Sequence, residues 1–136
     1  MPARGAGDEL KRQVMQAPSS LLLYVENPLA SAAFYEKLLG RPPVESSTNF
    51  AMFVLDNGLK LGFWREGEVA PKPTAQPGGS EIIFALDGAE AVDALCIDWR
   101  KRGMSIAQEP TAMDFGYTFV ALDPDGHRLR ACALTP

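Results

Sequence analysis

Few side chains in this sequence have the chemistry of a catalytic group. The chain has one histidine, His127, and two cysteines, Cys96 and Cys132. A serine–histidine–aspartate arrangement would have to use His127, which directly follows the sequence DPDG (residues 123–126). Both aspartates of that sequence are explained as turn formers, so we expect His127 to be a solvated turn residue. The cysteines fall in a predicted helix and a predicted strand, and we expect two reduced, buried thiols.

The end of the chain, residues 119–134, predicts a β-hairpin with a charge in the middle of one strand. The Asp-Gly pair between two alternating runs is a strong hairpin signal, and Gly126 supplies the positive φ that such a turn needs. Because side chains alternate along a strand, Arg130 faces away from the apolar side and needs a partner or a ligand there. The two predicted faces are Arg128, Arg130 and Cys132 on one side, and Leu129, Ala131 and Ala133 on the other.

Length and composition indicate a globular chain that does not bind nucleic acid or span a membrane. The 136 residues suit one domain with a core of its own. The net charge is −4, and no large cluster of basic residues is present, which argues against a nucleic-acid partner. No apolar run approaches the ~20 residues of a membrane span, and the first residues lack the apolar core of a signal peptide. We expect a cytoplasmic protein.

Two successive segments share the same order of predicted elements, namely a strand, a helix and three strands. This internal repeat has a period of about 55 residues. We expect a flexible tail over residues 1–18 and a single domain over 19–136, made of module one (19–66), a Pro- and Gly-rich linker (67–79) and module two (80–136). The apolar spacing predicts two buried helix stripes: Ala30, Ala33, Phe34 and Leu38 in module one, and Val92, Leu95, Cys96 and Trp99 in module two.

Two stretches carry a resemblance to a known family: LYVENPLASAAFYEKLLG (residues 23–40) and LDPDGHRLR (residues 122–130). With the paired βαβββ modules, they resemble the vicinal oxygen chelate superfamily, which includes glyoxalase I, extradiol dioxygenases, fosfomycin-resistance enzymes and bleomycin-binding proteins. Within this superfamily, the chain is most similar to phenazine-antibiotic resistance proteins. The shared features include FW (residues 63–64), which ends the fourth predicted strand, and FGYTF (residues 115–119). The resemblance implies an α+β fold of two curled mixed sheets, each with its helix on the convex side.

The resemblance also locates the positions where catalytic members of the superfamily hold a divalent metal. Each module supplies two of the four ligands. Hard divalent ions need carboxylate or imidazole donors at these four positions. Of the residues found there, only Glu81 has such a donor, and Arg130 would repel the ion. We therefore expect no metal and no cofactor, and no catalytic residues of the familiar type. The four positions in this sequence are Ser20, Gly62, Glu81 and Arg130.

A cavity lined by aromatic side chains remains as the candidate site. On the fold that the resemblance implies, the concave face of the fourth strand carries Lys60, Gly62 and Trp64. Gly62 leaves room for a ligand, and Trp64, which ends a strand beside the linker, offers a flat apolar surface. Phe50 and Trp99 are expected to pack in the core. The candidate ligand-binding residues are Trp64, Gly62, Arg130, Glu81, Ser20, Tyr117 and Phe115.

Two functions of different class remain open. The first is metal-independent binding and sequestration of a planar aromatic small molecule, such as a phenazine-like antibiotic. The second is a superfamily enzyme of the glyoxalase, lyase or dioxygenase type with an atypical site. The missing metal ligands favour the first.

The resemblance and the strand order lead to two structural expectations. Superfamily members commonly pair their modules across a two-fold axis, so we expect a homodimer in which both chains line each pocket. The strands of Glu81 and Arg130 are expected to pair. We therefore predict a direct carboxylate–guanidinium contact within ~4 Å.

Overall fold

A computed structural model describes residues 17–135 of the chain. Most of the predicted N-terminal tail, residues 1–16, therefore lies outside the described residues. A 3₁₀ turn, Glu66–Glu68, follows the fourth strand. The strands and helices are β1 Ser20–Val25, α1 Pro28–Leu39, β2 Glu45–Ser46, β3 Phe50–Val54, β4 Lys60–Arg65, β5 Glu81–Ala85, α2 Ala89–Lys101, β6 Ser105–Met113, β7 Gly116–Leu122 and β8 Arg128–Leu134.

The strands form two four-stranded sheets with the same topology. The first sheet has the order β1-β4-β3-β2, and the second has the order β5-β8-β7-β6. In each sheet the first strand of the module is parallel to the last, and the remaining neighbours are antiparallel. This arrangement confirms the predicted α+β fold of two mixed sheets with one helix each.

Local sequence signals explain where α1 begins and ends. The Asn27 side-chain oxygen accepts hydrogen bonds from the amides of Leu29 (3.1 Å) and Ala30 (3.3 Å), so it caps the helix as its type predicts. Proline at the first helical position has no amide to satisfy. Gly40 ends the helix with a φ of 71°, and its amide donates to the carbonyl of Glu36 at 2.9 Å.

Each helix packs on one face of its sheet through aromatic side chains. The rings of Tyr35 in α1 and Phe63 in β4 lie 4.6 Å apart. Trp99 in α2 packs edge-on against Phe84 (5.7 Å) and Phe119 (5.4 Å), which confirms its place in the core. Buried side chains of both modules form one cluster. We call the opposite face of each sheet, turned away from the helix, its open face.

The buried stripe of α1 differs from the prediction. Ala30 and Ala33 are exposed, and Phe34 and Leu38 are only half-buried. A different face of the helix is buried because Tyr35 takes the central buried position, where its hydroxyl has a hydrogen-bond partner inside the protein. The small residues beside Tyr35 allow close packing against the sheet. The prediction for α2 is confirmed for Val92, Cys96 and Trp99, with Leu95 half-buried. The buried residues of α1 are Pro28, Ser31, Ala32 and Tyr35.

The turn of the last hairpin joins the two modules and corrects the expectation for His127. His127 is only 4% exposed, and its Nε2 lies 3.2 Å from the carbonyl oxygen of Tyr24 in β1. Asp123 in the same turn accepts a 2.7 Å hydrogen bond from the Tyr35 hydroxyl of α1. The amide of Glu26 donates to Asp125 at 2.8 Å. The DPDG sequence therefore forms the hairpin turn and also connects module two to module one.

Candidate functional site

Strand register gives the two open faces equivalent positions. Ser20 opens β1 beside β4, and Glu81 opens β5 beside β8 in the same way. Their partners, Lys60 in β4 and Arg128 in β8, are therefore equivalent, and so are the residues two and four places further along these strands. The equivalent pairs are Ser20 and Glu81, Lys60 and Arg128, Gly62 and Arg130, and Trp64 and Cys132.

The residues at the family's metal positions do not fit a divalent ion. In module one, the two positions hold a hydroxyl side chain at Ser20 and no side chain at Gly62. In module two, Glu81 is the one carboxylate, and it is already bound to the guanidinium of Arg130. Within residues 17–135, no three His, Cys, Asp or Glu side chains are grouped closely enough to hold a metal.

The predicted contact between Glu81 and Arg130 is confirmed and is bidentate. Arg130 Nε donates to Glu81 Oε1 at 2.8 Å, and Nη2 donates to Oε2 at 3.0 Å. Arg130 Nη1 also donates to Gln108 (3.2 Å) and to the Thr118 hydroxyl (3.3 Å). The guanidinium carbon lies 5.7 Å from the centre of the Phe115 ring. The centre of the second open face is thus filled by a fixed cation.

The same contact sets the protonation of Glu81. Hydrogen bonding from Arg130 lowers the pKa of Glu81, and the charges of Arg130 and Arg128 act in the same direction, while partial burial opposes them. The second guanidinium, Arg128, has its Nε 3.3 Å from Glu81 Oε2. Because the carboxylate is shared between two cations, it is a poor candidate for a proton-accepting catalytic base.

The open face of the first sheet has a different character. Register places Tyr24 and Phe50 on either side of Trp64, so three aromatic residues form one row across β1, β4 and β3. Tyr24 is 37% exposed, and Trp64 and Phe50 are half-buried. The expected place of Phe50 in the core is therefore wrong, because alternation along β3 directs Ala51 and Phe53 to the core instead.

Gly62 does not leave the open space that was expected. A Cβ atom at Gly62 would lie 2.9 Å from Leu22 Cδ1 and 3.2 Å from Phe50 Cζ. These two side chains close over the glycine from the neighbouring strands. The space that a side chain at Gly62 would take is therefore occupied by the ends of the Leu22 and Phe50 side chains.

Of the two candidates near the end of β6, only Phe115 lies beside the open face of the second sheet. Tyr117 was expected in the pocket, but it lies on the helix side, where its hydroxyl donates to Asp93 of α2 at 2.7 Å. Gly116 and Thr118 occupy the open face instead, since side chains alternate along β7. Phe115 is 42% exposed and lies against Arg130.

Several residues of the open faces were missed. In β1, only Leu23 and Val25 are buried. Leu22 and Tyr24 are 40% and 37% exposed on the open face. Strict alternation counted back from Val25 would have found both residues. Gln108 carried no sequence signal, because bulges in β6 change its register.

Comparisons with known proteins agree with this architecture. Residues 17–131 match the family model of the Glyoxalase/Bleomycin resistance protein/Dioxygenase superfamily. The chain is 34% identical over 121 residues to the phenazine antibiotic resistance protein EhpR of Enterobacter agglomerans, covering 86% of this chain and 92% of that protein.

Solved structures share the same fold. Protein ATC0852 from Agrobacterium tumefaciens is 47% identical, with a TM-score of 0.81 over 90% of this chain and 100% of that one. A glyoxalase-related enzyme from Fulvimarina pelagi, 22% identical over 88% of each chain with a TM-score of 0.73, shares the fold alone. In the part of the chain that the structure describes, no helix is long and apolar enough to cross a membrane.

Proposed function

We propose that this chain, which belongs to the Glyoxalase/Bleomycin resistance protein/Dioxygenase superfamily, binds and sequesters a planar aromatic small molecule without a metal. The observation that carries the proposal is the aromatic row Tyr24, Trp64 and Phe50 on the first open face. Flat apolar side chains stack on planar rings and contribute about 0.5–1.5 kcal/mol beyond the burial of area.

The ligand class is supported by likeness to a named relative. EhpR is a phenazine antibiotic resistance protein and shares 34% of its residues with this chain over the aligned region. A phenazine is a planar tricyclic ring, so its face can stack on the flat aromatic side chains of this row. We extend the antibiotic-resistance role to this chain as part of the proposal, and we infer that the chain acts by binding the antibiotic.

Metal independence is supported by the donor set rather than by any single residue. Ser20, Gly62 and Arg130 offer no carboxylate or imidazole donors of the kind a catalytic divalent ion needs. Glu81 is held by two arginines. The same features disfavour the alternative of a metal-dependent glyoxalase, lyase or dioxygenase.

The proposal includes a homodimer. Exposed apolar side chains occupy both open faces, with Leu22 and Tyr24 on the first and Ile83 and Leu134 on the second. Pairing the first open face of one chain with the second open face of its partner would cover these side chains and enclose Trp64. Static light scattering at micromolar concentration tests this, and a monomer would contradict it.

Tryptophan fluorescence tests the binding proposal directly, since the chain has two tryptophans. Titration with phenazine should quench the emission of Trp64 and leave that of Trp99, which is 4% exposed, nearly unchanged. The quenching should persist in Trp99→Phe and largely disappear in Trp64→Phe. Affinity measured by calorimetry should fall at least several-fold in Trp64→Ala, because stacking and apolar area are lost together.

Two results would count against this function. Wild-type affinity in Trp64→Ala would move the site away from the aromatic row. A stoichiometric divalent metal in the purified protein, with phenazine binding that depends on it, would restore the enzymatic alternative.

A further inference from the structure

A second cavity lies outside both open faces, where helix α1 approaches the segment that follows α2. Its volume is about 620 Å³, within the range of small-molecule sites. Trp64 does not line it, so a ligand here would be independent of the aromatic row. The lining residues are Ala33, Phe34, Lys37, Leu38, Arg102 and Met104.

The floor of this cavity is the apolar stripe that was expected to be buried under α1. Phe34 and Leu38 pack against the core on one side and remain half-exposed on the other. Met104 of module two completes the floor in the same half-buried state. Because α1 buries its Tyr35 face instead of the predicted stripe, an apolar surface stays open at the junction of the modules.

The rim of the cavity is cationic. Arg102 Nη1 donates to the backbone carbonyl of Lys37 at 3.1 Å, and Nη2 lies 3.0 Å from the carboxylate of Asp98, so its guanidinium is held in place. Among the residues that the structure describes, no carboxylate lies within 4.0 Å of the Lys37 ammonium. The cavity is therefore lined by two cations, of which Arg102 is paired with Asp98, on a chain whose net charge is −4.

We propose that this junction cavity binds a small amphiphilic anion, an aromatic carboxylate or sulfonate. Its apolar body lies on Phe34, Leu38 and Met104, and its acidic group lies at Lys37 and Arg102. The two cations favour a ligand with a negative charge. The apolar floor favours a ligand with an apolar body over a simple inorganic anion.

The test uses two fluorescent probes of nearly equal shape, anilinonaphthalene sulfonate, which is an anion, and N-phenylnaphthylamine, which is neutral. Both are titrated into the full-length Trp64→Ala chain, so that stacking on the aromatic row is removed. Amide NMR shifts induced by the anionic probe should move for Ala33, Lys37 and Met104. Shifts confined to the open faces would overturn the proposal.

Two variants with matched controls separate shape from charge. Ala33→Trp fills the cavity from an exposed helix position and should abolish binding of both probes there, whereas Ala30→Trp, on the same helix but outside the cavity, should not. Lys37→Gln should weaken the anionic probe roughly twofold to fivefold and leave the neutral probe unchanged. Lys101→Gln, an exposed lysine outside the cavity, should affect neither probe.

Wild-type binding of the anionic probe in Ala33→Trp or in Lys37→Gln would overturn the proposal. A second copy of the chain is the competing occupant. Light scattering tests it, because loss of the dimer in Ala33→Trp, together with unchanged NMR spectra on adding the probe to wild type, would make the cavity a subunit interface instead.

Discussion

The two open faces belong to sheets of the same topology, but their central positions hold different residues. At the centre of the first, Gly62 has no side chain, and Leu22 and Phe50 lean over it. At the equivalent position of the second, Arg130 is fixed by Glu81 and two further hydrogen-bond acceptors. The centre of the first face therefore has no polar side chain of its own, whereas the cation at the centre of the second is already paired within the chain.

The hairpin turns that precede β4 and β8 show a second contrast. Asp56, in the turn of module one, has a side chain 92% exposed and pairs with Arg41. Asp123, in the turn of module two, is 5% exposed and accepts from the Tyr35 hydroxyl across the module boundary. The repeat therefore supplies one solvated turn and one turn that holds the modules together.

The largest effect is expected at the buried turn. Asp123→Ala removes the acceptor of the Tyr35 hydroxyl and of two backbone amides in its own turn. The free energy of unfolding should fall by about 3 kcal/mol, measured by urea denaturation. Asp56→Ala, at the equivalent turn, should change it by less than about 0.5 kcal/mol. Equal losses in the two variants would show that burial at the junction is not what distinguishes the turns.

The next largest effect concerns the filled centre of the second face. Arg130→Ala leaves Glu81, whose side chain is 26% exposed, without its main partner, and should lower the free energy of unfolding by about 2 kcal/mol. Glu81→Gln keeps an acceptor for the arginine and should cost less. Chemical denaturation of both variants at pH 7 measures the difference. A larger loss in Glu81→Gln would mean that the unpaired cation, rather than the unpaired carboxylate, is the costly group.

The sequence was sufficient for the features that depend on local signals and strand period. Asn27 and Gly40 fixed the ends of α1, and alternation in β8 correctly separated Arg130 from Leu129. The Glu81–Arg130 contact followed from the neighbouring positions that the family resemblance implies, and the structure pairs their strands, β5 and β8, in parallel. These are properties of neighbouring residues and of one sheet.

The errors occurred where tertiary partners decide between faces. Tyr35 is buried because Asp123, 88 residues away, accepts from its hydroxyl, and helical spacing alone cannot reveal that acceptor. His127 is buried because its turn packs against β1 of the other module. Phe50 turns to the open face because alternation along β3 directs Phe53 to the core, where it packs against Phe63. The errors at Tyr35 and His127 lie at contacts between segments that are distant in the chain.

A smaller effect is expected at the empty centre of the first face. In Gly62→Ala, the new Cβ meets Leu22 Cδ1 at 2.9 Å, and this flexible end must shift. The free energy of unfolding should fall by about 1 kcal/mol, and by less when Leu22→Ala is present, giving a measurable coupling in a double-mutant cycle. Additive losses would show that Leu22 does not occupy the space above the glycine.

The smallest expected effect is the pH dependence of stability at the second face. The pKa of Glu81 is lowered in the folded chain, chiefly by hydrogen bonding to Arg130, below its ordinary value of 4.5. The unfolded chain therefore takes up this proton first as the pH falls. The resulting stabilisation is present above pH 4.5 and is lost as the pH falls through the folded pKa.

Urea denaturation of wild type and Glu81→Gln from pH 7 to pH 3 measures this contribution. The difference in free energy of unfolding should stay constant at the upper end and shrink toward the acidic end. In the Arg130→Ala background, the effect of Glu81→Gln should lose most of this pH dependence, because the main cause of the lowered pKa is gone. A difference that grows on acidification would reverse the assigned role of Arg130.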